Sequence, residues 1–159
     1  MAEVIIRKAR EDELKIVQEL NHDLFLHDQE YDPFLNMDWS FGEQAEKYYK
    51  DAISGKDGVC FVAEVDGRVV GYLAGGMIKP YRYRTIKKQS ELGDTLVKES
   101  SRGQGIGEKL FNEFLKWSRE QGAERIKVSA SSKNSGAIKF YERVGFAPYA
   151  TELEYEIKN

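Results

Sequence analysis

Residues 97–107 read Val97-Lys98-Glu99-Ser100-Ser101-Arg102-Gly103-Gln104-Gly105-Ile106-Gly107. Three glycines at alternating positions follow an apolar strand end and open an amphipathic segment. Such a loop can turn successive backbone N–H groups toward one point, and the helix behind it adds the positive end of its dipole. The chemistry is anion binding, with a phosphate or pyrophosphate as guest. Residue types remove two nucleotide loops. A Walker loop needs Gly-Lys-Ser/Thr, but Gly107 is followed by Glu108-Lys109 with no hydroxyl next. A dinucleotide fingerprint needs a glycine three positions after Gly107, where Leu110 stands, and it sits at the first strand rather than past mid-chain.

Two acids lie in the segment that feeds this loop. Strand alternation over Glu91 to Val97 places Glu91, Gly93, Thr95 and Val97 on one face and Leu92, Asp94 and Leu96 on the other. Glu91 is then expected to share a face with Thr95. Gly93 suits a bulge or a close approach. Cys60, between Val59 and Phe61, reads as a buried strand cysteine; a lone thiol forms no internal disulfide and points to a reducing compartment. His22 and His27 stand apart from any metal-ligand spacing, so no metal is expected.

The elements that must position these residues follow from periodicity. Strands are predicted over Glu3 to Lys8, Val59 to Val65, Arg68 to Ile78, Glu91 to Val97 and Arg125 to Ala130, with Asp66-Gly67 as a two-residue hairpin turn. Helical spacing marks a segment from about Glu11 through Leu14, Val17, Leu20 and Leu24, then Phe41 to Ile53 stopped by Gly55. It marks two more, about Gly105 to Glu120 and Asn134 to Val144, the latter capped by Gly145. Phe146 onward is predicted to return as a strand, with Leu153 to Ile157 alternating. Hairpins early and strand-helix-strand-helix late imply an α/β or α+β fold: a central mixed sheet with helices on both faces.

The 159 residues suit one domain, 1–159, with no repeat or linker. A net charge of -3 without a basic block argues against nucleic acid as partner. Met1-Ala2-Glu3-Val4 lacks the pattern of a leader and no apolar run approaches membrane-spanning length, so a soluble, cytoplasmic chain without membrane partners is expected.

Val97-x-x-x-x-Arg102-Gly103-x-Gly105-x-Gly107 resembles motif A of the GNAT superfamily of N-acetyltransferases. Asn134-x-x-Ala137-Ile138-x-x-Tyr141-x-x-x-Gly145-Phe146 is similar to its motif B, at the family's spacing. Ile6-Arg7-x-Ala9 resembles a common family opening. Val62-Ala63-Glu64-x-x-Gly67-x-x-Val70-Gly71-Tyr72 is similar to the family's central hairpin. One position departs: motif A often has proline two residues after the valine, and here it is Glu99.

The resemblance implies a mostly antiparallel mixed sheet splayed at the CoA site and flanked by about four helices. It implies acetyl-CoA as cosubstrate, its pyrophosphate on the N–H groups of Gly103, Gln104, Gly105, Ile106 and Gly107 beside Arg102. The pantetheine arm would lie along Thr95, Leu96 and Val97, with Asn134 and Tyr141 also contacting CoA. Tyr141 falls at the position that protonates the departing thiolate; a phenol at ~10 outlasts a thiol at ~8.5 and can donate. Glu91 falls at the general-base position of histone-type members, with Asp94 the second candidate and a water chain the third. The strand before motif B, Lys127-Val128-Ser129-Ala130, carries no acid. The acceptor is expected to be a primary amine of a small molecule or a peptide, met by Asp28, Glu30, Tyr31, Asp32, Asp38 and Trp39 between the first two helices. The basic run Tyr81-Arg82-Tyr83-Arg84 with Lys87-Lys88 borders that acceptor, meets the CoA 3′-phosphate or is solvated. A homodimer is possible in this family. The alternative is a non-catalytic acyl-CoA-binding regulatory module on the same fold.

Overall fold

Central strands that are apolar at consecutive positions must be covered on both faces. The computed structural model, which describes residues 2–159, shows this arrangement; Met1 of the expected domain and N-terminal segment lies outside the described residues. Five strands run in the order β1 (Val4–Lys8), β2 (Gly58–Val65), β3 (Arg68–Ile78), β4 (Gln89–Val97) and β5 (Arg125–Val128). The first three pairings are antiparallel and β4·β5 is parallel. Asp66 and Gly67 both have positive φ, 51° and 75°, the type I′ geometry that an Asp-Gly hairpin selects.

Among the described residues four α-helices cover the sheet: α1 (Leu14–Asp28), α2 (Glu43–Ser54), α3 (Ile106–Glu120) and α4 (Ser135–Val144). Cys60 and Val62 of β2, Tyr72 and Ala74 of β3 and Leu96 of β4 pack with Val17 and Leu20 of α1 and Tyr49 of α2. The alternate residues Val59, Phe61, Ala63, Leu73 and Leu92 pack with Ile106, Leu110 and Phe114 of α3, joined by Tyr141 and Val144 of α4. Phe114 is fully buried, and its truncation to alanine would cost about 3–5 kcal/mol.

A carboxylate cluster locks the start of the chain to the sheet. Arg7 of β1 donates from Nη1 and Nη2 to both oxygens of Glu13, at 2.8 and 2.9 Å, and from Nε to Glu64 of β2 at 2.9 Å. Glu13 sits in a 3₁₀ turn, Glu11–Glu13, that precedes α1. The Arg7 hydrogen bonds hold its carboxyl down at about 2, against the opposing effect of burial.

Two expectations change. The strand expected from Phe146, and its alternating end Leu153 to Ile157, is not formed: residues 145–159 have no regular structure. Alternation sets a side-chain pattern, but a strand also needs a partner for its N–H and C=O groups, and none lies alongside. The helix expected from about Glu11 begins at Leu14, after the 3₁₀ turn. No helix among the described residues is long and apolar enough to cross a membrane.

Candidate active site

β4 and β5 pair only from Gln89↔Arg125 to Leu92↔Val128. Beyond Leu92, β4 continues through Val97 against β3 alone, so the edge of Gly93 to Val97 on the β5 side is open. The sheet is splayed there, with the glycine loop at the far end of the gap. Thr95 turns its hydroxyl away from the gap, donating to the Tyr72 carbonyl at 2.8 Å.

Gly93 opens the gap. Asp94 pairs with Ala74 and Leu92 with Gly75, which leaves Gly93 as a bulge without a partner. A Cβ at this position would strike the hydroxyl of Tyr48 on α2. The bulge also corrects the expected facing of the strand. Leu92 packs against α3, whereas Leu96 packs on the α1–α2 side. Asp94 lies on that same α1–α2 side, bound by Asn21 of α1 and Tyr49 of α2. Glu91, one residue before Leu92, therefore faces the α1–α2 side with Asp94 and does not share a face with Thr95.

In the loop, Arg102 is extended and its Nε donates to the Val97 carbonyl at 2.8 Å. Gly103 and Gly105 take φ of 79° and 75°, the left-handed conformation that favours glycine. Arg102 N donates to Glu99 O and Lys109 N to Gly105 O. The N–H groups between them, from Gly103 through Glu108, have no hydrogen-bond partner among the described residues. Gly103, Gln104 and Gly105 are exposed, while Ile106 is buried and anchors the helix start. This is a run of free donors at the positive end of a 15-residue helix, which suits a pyrophosphate. Gly107 also serves packing, since a Cβ there would press within 3.3 Å of the Phe140 ring of α4.

Helix α4 begins where the Asn134 side chain accepts from Ala137 N at 3.1 Å, an N-cap. It carries Tyr141, half-buried between Phe140 and Phe146, with ring centroids 5.4 and 5.6 Å away. Burial, and then the charges of Asp94 and Asp28, push the Tyr141 phenol up to about 12. The group stays protonated at neutral pH and has a proton to give.

Asp94 is the second titratable group at the gap. Its Oδ2 accepts from Tyr49 at 2.5 Å, from Tyr72, and from Asn21 Nδ2 at 3.2 Å. Ser40 donates to Asn21 Oδ1 at 2.7 Å and so fixes which way that amide points. Burial pushes the Asp94 carboxyl up to about 6, although all three donors pull it down. Glu91 is less enclosed and lies 3.6 Å from Lys127 Nζ of β5.

The expected acceptor residues divide. Asp28, the last residue of α1, is bound by His27 at 3.0 Å and its charge reaches Tyr141. Trp39 packs between Phe25 and Tyr49, and its Nε1 donates to Gln44, so its ring is part of the structure. Asp32 accepts from Phe34 N within its own turn; Glu30 and Asp38 are exposed. In the basic run Arg84 lies 4.1 Å over the Tyr149 ring, and Tyr81 stacks on Tyr83.

Sequence reasoning missed the donors around Asp94. One signal was present: Leu14, Val17, Asn21 and Leu24 form one helical stripe, and Asn21 is its polar member. Tyr49 and Tyr72 look like ordinary core aromatics until their hydroxyls are placed. Among the described residues no group of acids, cysteines and histidines is arranged to hold a metal.

The chain matches the acetyltransferase (GNAT) family over residues 5–146. It is 31% identical over 104 residues to an uncharacterized N-acetyltransferase of Methanocaldococcus jannaschii, a match covering 64% of this chain and 45% of that protein. The chain thus spans about half the length of this relative. Among solved structures, a mutant of the BH1408 protein from Bacillus halodurans superposes with a TM-score of 0.83 at 19% identity, over 97% of this chain and 99% of that one. An aminoglycoside N-acetyltransferase in complex with CoA superposes with a TM-score of 0.76 at 16% identity, over 100% and 97%. These two likenesses show the fold. The family match spans the splayed strand, the glycine loop and the tyrosine helix together, and by it this chain belongs to the GNAT acetyltransferase family.

Proposed function

We propose that this chain transfers an acetyl group from acetyl-CoA to a primary amine by direct attack in a ternary complex, with Tyr141 as general acid and Asp94 as general base. One observation carries the reading. An open strand edge, Gly93 to Val97, runs from a buried carboxylate to a loop of unpaired N–H groups, and a protonated phenol lies near enough to feel that carboxylate's charge. The free N–H groups of Gly103 to Gly107 would hold the pyrophosphate, with Arg102 alongside. The edge of Thr95, Leu96 and Val97 would pair the pantetheine amides as an added strand. Asn134 caps the helix that presents Tyr141.

The chemistry follows from these residues. A neutral amine attacks the thioester carbonyl carbon, a C–N bond forms and the C–S bond breaks. Asp94 takes the proton the nitrogen must lose. Tyr141 gives its proton to the departing sulfur and regains one from solvent. A carboxylate near 6 is ionised at neutral pH yet not too weak a base, and a phenol near 12 holds its proton until the thiolate forms. Glu91, on the same face and 3.6 Å from the Lys127 ammonium, is the alternative base. Asp28, whose charge reaches Tyr141, favours a cationic acceptor; the aminoglycoside enzyme with the same fold acts on amines of that kind.

The test is thiol release from acetyl-CoA with purified protein and a panel of amines: polyamines, aminoglycosides, amino sugars and peptides with free N-termini or lysines. Turnover on one class is expected, and Tyr141→Phe should lower kcat far more than CoA affinity. Tight CoA binding without turnover on any amine would instead favour a non-catalytic acyl-CoA-binding module.

A further inference from the structure

Two stretches of the chain carry charge of one sign only. Residues 79–88, which join β3 to β4, hold Lys79, Arg82, Arg84, Lys87 and Lys88 and no acid. Residues 28–38, from the last residue of α1 onward, hold Asp28, Glu30, Asp32 and Asp38 and no lysine or arginine. Both flank the same part of β4. Asn21 of α1 binds Asp94, and the charge of Asp28 reaches Tyr141. On the other side, Lys127 of β5 lies 3.6 Å from Glu91 and 5.6 Å from the centre of the Tyr81 ring, which stacks on Tyr83. Ile126 and Val128 pack toward α3, so alternation turns Lys127 to the α1–α2 face. The basic connection is thus tied to the face that carries Glu91 and Asp94. Tyr81 and Tyr83 are 52 and 79% exposed. Among the described residues no cation of the connection has a carboxylate within ion-pair distance.

We infer that the amine acceptor is the free N-terminus of a peptide that carries carboxylates within its next few residues. The inference rests on the proposed acetyl transfer, which requires an amine at Asp94. The acidic run receives the ammonium before it loses its proton, and the basic connection receives the side chains that follow. Length selects a peptide. Glu91 and Asp94 stand three residues apart, about 10 Å along the strand. Residues 2–4 of an extended peptide span about the same length. The two charges of a lone amino acid sit on one carbon, too close together to meet both runs. The cations also diverge, Arg84 over Tyr149 and Lys88 along Gly122, which fits carboxylates spaced along a chain better than one phosphate. The flat faces of Tyr81 and Tyr83 suit peptide groups. With its pyrophosphate on the glycine loop, CoA does not reach this connection. The nine residues of β4, about 30 Å of strand, stand between the two, and the 3′-phosphate is only one ribose from the pyrophosphate.

Fluorescence anisotropy on the CoA-loaded full chain tests this independently of turnover. The probes are a C-terminally labelled hexapeptide with a free N-terminus and glutamates at its third and fourth positions, the same peptide with lysines there, and the glutamate peptide with an acetylated N-terminus. The free glutamate peptide is expected to bind about tenfold tighter than either of the others. Arg82→Glu with Arg84→Glu should abolish or reverse the charge preference while CoA affinity stays unchanged. Equal affinity for the glutamate and lysine peptides overturns the inference. So does a blocked peptide that binds as well as the free one, a preference that survives the double variant, or displacement by an amino-sugar phosphate at lower concentration than by unlabelled peptide. Thiol release from acetyl-CoA separates this inference from the reaction it builds on. Release with other amines but not with the glutamate peptide sinks the inference and leaves the transfer reaction standing. Binding as expected without release on any amine sinks the transfer reaction and leaves the peptide site.

Discussion

Two enclosed carboxylates, Glu13 and Asp94, have opposite chemistry because of what donates to them. Glu13 meets a guanidinium, fork to fork, and its carboxyl is driven down to about 2. Asp94 meets two phenols and an amide, none of them charged, and burial wins: its carboxyl rises to about 6. A cation fixes a carboxylate in one protonation state and makes it structural. Neutral donors orient it and leave it able to exchange a proton near neutral pH. The region around Glu13 joins β1 to α1 and β2. The region around Asp94 lies under α1 and α2, on the stretch of β4 that has lost its β5 partner, and this contrast is what favours Asp94 as the base in the proposed reaction.

The contrast can be broken at either end. Asp94→Asn keeps the size and the hydrogen-bonding shape but removes the base, and kcat should fall about 10²–10⁴-fold with CoA affinity unchanged. A loss under threefold in steady-state kinetics would show that Asp94 is structural after all. Arg7→Met strands Glu13 without its cation and should lower unfolding free energy by about 3 kcal/mol in a denaturant titration, with kcat per folded molecule intact.

Acid should then separate the two carboxylates by sign. Glu13, depressed in the fold, contributes stability that is full above its unfolded value of ~4.3 and is lost as pH falls toward about 2. Asp94, raised in the fold, acts in reverse: its ionisation costs stability as pH rises from ~3.9 through about 6. Thermal melts across pH 2–7 should show wild type losing an acid-side increment that Arg7→Met lacks, while Asp94→Asn flattens the decline between pH 4 and 6. The same titration should appear in kcat/KM as an acidic limb near pH 6 that Asp94→Asn abolishes. The smallest effect is expected at Glu91→Gln, within about fivefold in kcat, because Lys127 already compensates its charge; a drop as large as that of Asp94→Asn would transfer the base to Glu91.

Much of this was legible in the residues. The β3 range is matched end to end, and the Asp66-Gly67 turn and the Gly55 and Gly145 helix stops lie where turn and cap chemistry put them. These are local signals, decided by backbone conformation within a few residues. The facing of Glu91 was not legible, because strict alternation holds only until a bulge, and the bulge at Gly93 is decided by Tyr48 from a helix about 45 residues away. The donors around Asp94 were hidden for a similar reason: Asn21, Tyr49 and Tyr72 come from three different elements. The C-terminal alternation is present as a pattern but does not become a strand, because alternation decides which side chains share a face and not which backbone groups find a partner.

Gly107 reads in sequence as one more contact for the anion, yet the atom it lacks is missing on the side of Phe140. The residue is a shim of zero thickness between two helices, one beginning at the glycine loop and the other bearing Tyr141 next to Phe140. Any side chain there would wedge the pair apart by a few tenths of an ångström. Alignment of an acid with a leaving group is sensitive on that scale, where about 1 Å can cost 10²-fold in rate. In the proposed reaction the glycine would set the distance between the loop and the tyrosine, and a substitution there is expected to disturb proton delivery before it weakens binding.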